Sequence, residues 1–112
     1  MSVSWSEFRE RSLELAQIGV ERLHGRLSYL ATLRTDGSPR VAPVSAFTDG
    51  AALWLFVGAQ SPKRHDLIND GRFAIHCAVE DNHGGEGEFH ITGIAKRIPD
   101  SDARKRAEAV WP

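Results

Sequence analysis

The chain has 112 residues, 41% of them hydrophobic, and a formal net charge of −1. That length suits one domain over residues 1–112, able to bury roughly two-thirds of the surface its unfolded chain exposes. The near-neutral charge gives no global field to attract nucleic acid, the lone Cys77 excludes an internal disulfide framework and fits a reducing compartment, and no apolar run nears the roughly twenty residues that cross a bilayer. Met1 to Arg11 is polar and lacks the apolar core of a signal peptide. A cytoplasmic protein with neither a nucleic-acid nor a membrane partner is the expectation.

Ser4 and Glu7 have the spacing of a capping box, with the serine accepting from the third helical amide and the glutamate reaching back. Leu13, Ala16, Val20 and Leu23 then recur at helical spacing, which predicts one amphipathic helix from Trp5 to His24 with Gly25 as its stop. The period changes at Leu27, where Leu27, Tyr29, Ala31 and Leu33 alternate on one face of a strand. Asp36-Gly37 favours a tight hairpin turn, Arg40 to Phe47 forms the partner strand, Asp49-Gly50 repeats the turn chemistry, and Ala52 to Val57 is a third strand. Ser61-Pro62 reads as a helix cap followed by proline in the first turn, opening a short helix to Asn69 that buries Leu67 and Ile68. Asp70-Gly71 ends it, Arg72 to Val79 and Glu88 to Ile98 are strands flanking a polar glycine-rich loop over residues 80–87, and Pro99-Asp100 leads into a last helix from Ser101 to Val110. An antiparallel sheet of at least five strands with few helices curls into a barrel to hide its edges.

The segment Gly58-Ala59-Gln60-Ser61-Pro62-Lys63-Arg64 is the most informative for chemistry. Helix N-termini present free amides and a positive dipole end, so Ser61 and Lys63 could hold a phosphate there. The alternative is an ordinary serine cap beside solvated cations. Arg40 is either a strand-end surface charge or a second, planar phosphate clamp. His76, Cys77 and His90 lie on neighbouring strands, but successive strand residues face opposite sides, so no metal site is expected. Trp54, Phe56 and Phe89 read as core aromatics, and Asp66 and Asp70 as a solvated pair. No nucleophile motif is present, so no catalytic residue is assigned and any redox chemistry would be a cofactor's.

The segments Tyr29 to Leu33, Asp36 to Val44, Leu53 to Gly58, Ser61 to Leu67, Asp70 to Ala74 and Phe89 to Ala95, in this order, resemble the FMN-binding split β-barrels of the pyridoxamine 5′-phosphate oxidase-like family. The likeness runs from Leu27 to Ile98. It implies a mainly β, α+β fold, an antiparallel split β-barrel with an N-terminal helix and short peripheral helices. It implies an FMN-binding flavoprotein, an oxidoreductase acting on a small-molecule substrate, built as a homodimer with the cofactor between subunits. By this resemblance Arg40 contacts the FMN phosphate. Val41, Ala42, Pro43, Val44 and Ser45 lie along the flavin and ribityl chain, Phe56 and Val57 line the site, and Ser61 and Lys63 hold the phosphate. Glu88 stands where relatives carry a cofactor-binding glutamine. A deazaflavin reductase on the same fold, or a non-catalytic flavin- or haem-binding dimer, are the alternatives.

Departures argue against pyridoxamine-phosphate oxidation itself. Ser45 stands where the oxidase proper has a lysine and Pro62 where it has a basic residue. The sequence stops at Trp111-Pro112, before a further strand and the segment carrying substrate-binding arginines, which reads as a C-terminally truncated barrel closed by a partner.

Overall fold

A computed structural model of the chain describes residues 4–98 and 101–110. Ser4 accepts from the Glu7 amide at 3.2 Å and starts α1 (Trp5–Arg11). The reciprocal half of the capping box is not made, since the Glu7 carboxylate meets the Ser4 hydroxyl instead, at 3.4 Å. The expected single helix is broken at Ser12, whose φ of −145° and ψ of 64° are not helical. Its amide closes α1 on the Phe8 carbonyl, and its own carbonyl accepts the first bond of α2 (Leu13–Leu23) from Ala16. The break turns α1 so that Trp5 is buried and Arg9 donates to the Gly50 carbonyl at 2.9 Å.

Gly25, at φ +67°, carries the chain into β1 (Arg26–Leu33). The Asp36-Gly37 turn returns it as β2 (Pro39–Thr48), and the Asp49-Gly50 turn leads to β3 (Leu53–Phe56). α3 (Pro62–Asn69) falls where the Ser61-Pro62 signal places it, followed by β4 (Arg72–Cys77), β5 (His90–Ile94) and α4 (Ser101–Val110). The last strand is shorter than expected, and its Pro99-Asp100 lead-out lies outside the described residues. The strands pair antiparallel in the order β3-β2-β1-β4-β5, a curled half-barrel sheet that matches the antiparallel split-barrel expectation.

Alternation gives the sheet two unlike faces. Leu30, Val44, Ala46, Ile75 and Cys77 point inward and form the core with Leu23 and Phe89. Helix α2 covers them, and Gly19 permits this because a Cβ there would lie 2.7 Å from the Phe89 ring. Leu27, Tyr29, Ala31 and Leu33 do share a face, but it is the outward one, with Tyr29 44% and Leu27 52% exposed. The loop over residues 80–87 is tied rather than loose. The Glu86 carboxylate accepts from the Glu80 and Asp81 amides, and Arg22 donates to the carbonyls of Ala78, Glu86 and Gly87.

Candidate functional site

On the inward side of β1 and β2, Thr32 and Arg40 stand directly opposite each other in the strand register. Both reach Asp66 on α3. Thr32 Oγ1 donates to Asp66 Oδ2 at 2.7 Å, and Arg40 Nε donates to the same oxygen at 2.7 Å. Asp66 is 2% exposed and is the buried residue of its helix, whereas Ile68 is 54% exposed. This corrects the expectation that α3 buries Ile68 and that Asp66 is solvated. The helix docks through a carboxylate together with Leu67, which is half-buried and packs against the core as expected. Burial pushes the Asp66 carboxyl up, but the hydrogen bonds from Arg40 and Thr32 and the charges of Arg40 and Arg34 outweigh it and hold the group below its ordinary value. Asp70, hydrogen-bonded by Arg72 at 2.7 Å, is lowered to about 2. Both carboxylates are therefore ionised at neutral pH, which removes them as general acids.

The clamp fixes where Arg40 points. Its Nε is committed, while its two terminal nitrogens make no hydrogen bond among the described residues. Ser61 occupies the N-cap of α3, yet its hydroxyl caps no helix amide. Instead the Arg64 amide bonds the Ser61 carbonyl at 3.0 Å, and the Lys63 amide has no backbone acceptor among the described residues. Lys63 is half-buried without an ion pair among those residues. A hydroxyl, an amide and an ammonium thus remain available at one helix start, a donor set that fits a phosphate.

Beside it, β3 pairs with β2 only at residues 45–48, so β2 from Pro39 to Val44 has no strand on that edge. Among the described residues no strand pairs with this stretch on that side, and Val41 is 69% exposed while Ala42 is half-buried. Val44 points into the core, Ser45 pairs with Phe56 at the end of β3, and Val57 packs against the core. Arg40 thus meets α3 at Asp66, Phe56 and Val57 lead out of β3 into the β3–α3 connection, and Ser61 and Lys63 open the helix.

Glu88 does not join them. It precedes β5, which begins at His90, and β5 lies three strand spacings from β2, about 14 Å within one sheet. Its carboxylate faces His76 at 3.5 Å instead. Trp54 and Phe89 are buried, as expected of core aromatics, and Cys77 and His76 point to opposite faces.

A family model described as pyridoxamine 5′-phosphate oxidase matches residues 21–111. The chain belongs to this family. Among solved structures it is similar to a haem-binding protein from Mycobacterium smegmatis, with 25% identity and a TM-score of 0.68 over 98% of this chain and 43% of that one. It is also similar to a conserved hypothetical protein from Mycobacterium tuberculosis, with 26% identity and a TM-score of 0.65 over 88% of this chain and 61% of that one. The chain spans less than two-thirds of either structure. None of the curated proteins compared with it matches.

Against this pyridoxamine 5′-phosphate oxidase family background, sequence reasoning missed Thr32 and the role of Asp66. A threonine alternating with core residues on β1 is a weak signal. An aspartate four residues into a helix beside an arginine-bearing strand becomes a signal only once the two are known to be adjacent. Among the described residues no helix is long and apolar enough to cross a membrane.

Proposed function

We propose that the chain binds FMN, with the phosphate at the start of α3 and the flavin along the open edge of β2, and that it serves as a small-molecule oxidoreductase. The observation that carries this reading is the Ser61 hydroxyl, which sits at an N-cap without capping, beside Lys63 and an unpaired amide. Family membership supports the flavin over other phosphorylated ligands. When bound, the flavin would supply hydride or electron transfer. The chain's own residues bind and orient: Lys63 and Arg40 offset the phosphate charge, Asp66 holds Arg40 in place, and Phe56 and Val57 line the apolar side. Two copies packed through the outward sheet face would cover Leu27, Tyr29, Val41 and Ile94, which are exposed in one chain.

Titration of FMN and riboflavin into the protein and its Lys63→Ala variant tests the reading. A partly buried charge-assisted hydrogen bond contributes about 1.5–3 kcal/mol, so FMN should bind about ten- to a hundredfold more weakly to the variant. Riboflavin should be unaffected. Equal losses for both ligands, or an unchanged FMN affinity, would remove Lys63 from the site. Light scattering tests the dimer, which a monomer at micromolar concentration would contradict.

Haem is a second reading, favoured by the similarity to a haem-binding protein and by the exposed imidazole of His90 on the outward face. The absorption spectrum of the purified protein separates flavin, deazaflavin and haem.

A further inference from the structure

His76 on β4 and His90 on β5 are direct register partners. Their rings stack at 6.1 Å with an interplanar angle of 5° on the outward face of the sheet. Glu88, two residues before His90, lies on the same side and brings Oε1 to 3.5 Å from His76 Nε2. The other ring nitrogen of His76 is already used: Nδ1 lies 2.7 Å from the Cys77 carbonyl oxygen. A carbonyl only accepts, so Nδ1 carries the proton and donates. In the neutral ring Nε2 is then a bare lone pair aimed at a carboxylate oxygen.

With a proton on Nε2 the two groups form an ion pair, and without one the nitrogen lone pair and the carboxylate oxygen together face a point that a cation can occupy. A tetrahedral zinc ion holds nitrogen and oxygen ligands at about 2.0–2.2 Å each, which sets the two ligand atoms about 3.4 Å apart. The observed 3.5 Å suits that arrangement. The Nδ1 bond to a backbone carbonyl is also the support that metal-bound histidines commonly have, because it fixes both tautomer and ring orientation.

We propose that His76, Glu88 and His90 form a site for a borderline divalent transition ion such as zinc on the outward face of the β4–β5 hairpin. Among the described residues no group of three such side chains is already placed to hold a metal ion, so the site needs one of its ligands to move. His76 and Glu88 are preset, and the exposed His90 ring supplies the third ligand by rotating out of its stack, which breaks no core packing. The remaining coordination position is left to water or, in the proposed dimer, to a group of the second copy packed on this face. The site is separate from the α3 phosphate site and stands or falls independently of FMN binding, whereas a haem held by His90 would compete for it.

Calorimetric titration of zinc chloride into the full chain, with cobalt(II) absorption as a second readout, tests the assignment. The expected result is saturation at one ion per chain. His76→Ala should abolish it, while Glu88→Gln and His90→Ala should each weaken it by at least about tenfold. His65→Ala and His83→Ala should leave it unchanged, and the thermal midpoint of each variant checks that it folds. Haem iron would not depend on Glu88, so the glutamine variant also separates the two kinds of metal ligation. Zinc binding that survives in His76→Ala, or that is no greater in the natural protein than in a variant lacking both histidines, would overturn the proposal.

Discussion

Asp66→Ala is the substitution for which the structure predicts the largest single loss. It leaves two donors behind. Arg40, 28% exposed on its side chain, loses a charge-assisted bond of about 1.5–3 kcal/mol, with the lower half of that range appropriate because solvent still reaches it. Thr32, 2% exposed, keeps a hydroxyl with no acceptor at a cost of about 1–3 kcal/mol. Together about 3–4 kcal/mol should disappear, a large part of the roughly 5–15 kcal/mol that holds a domain together. In a domain of this size the thermal midpoint should fall by about 15 °C or more. Adding Thr32→Val removes the stranded hydroxyl, so the double variant should lose less than the sum of the single ones. The pH dependence has a definite sign. A carboxyl whose folded value is lowered contributes fully above its ordinary value of about 4 and loses that contribution as pH falls through the lower folded value. Urea denaturation should therefore show a gap between natural protein and Asp66→Ala that is widest near neutrality and narrows below about pH 4. A loss under about 1 kcal/mol, or a gap that stays the same in acid, would refute the account of α3 as a helix docked by its carboxylate. If FMN binds as proposed, the same variant should weaken FMN more than riboflavin, because Arg40 is no longer held.

Gly19→Ala should destabilise by about 1–3 kcal/mol in thermal or urea unfolding, since the new methyl would sit 2.7 Å from the Phe89 ring in the core. Arg22→Ala removes the guanidinium that holds three carbonyls of the segment from Ala78 to Gly87, so amide exchange there should accelerate while the core strands stay protected. Arg106→Ala breaks its 2.7 Å ion pair with Asp49 and its placement 5.5 Å over the Trp54 ring, and should cost about 1 kcal/mol with an effect that shrinks in high salt.

The elements that were legible in the sequence have signals confined to a few neighbouring residues. Asp36-Gly37 and Asp49-Gly50 specify turns because glycine adopts the positive φ seen at both, +86° and +90°. Ser61-Pro62 starts α3 because proline's fixed φ and missing amide suit a first turn. The candidate phosphate site was legible for the same reason, since Ser61 and Lys63 are two residues apart on one helix start. The kink at Ser12 was not, because Ser4 signals a helix start, Leu13, Ala16, Val20 and Leu23 keep helical spacing after the break, and no glycine or proline stands between to mark it, while Trp5 and Arg9 are pulled toward the rest of the fold.

By itself, the sequence determined the alternation of strands and turns, the start of α3, the chemistry available there and the family. It also determined that Leu27, Tyr29, Ala31 and Leu33 share a face, because side chains alternate with a period of two. Only the tertiary structure decided which face is outward, since period alone does not say where the covering helices lie. Only it joined Thr32 and Arg40 to Asp66, 34 and 26 residues away in the chain, and sent Glu88 to His76 rather than to the α3 site. Asp66 has the same composition signal as any helical aspartate. What makes it a buried clamp is the docking of α3 on β1 and β2, which excludes water and leaves the carboxylate no partners except the donors those strands present.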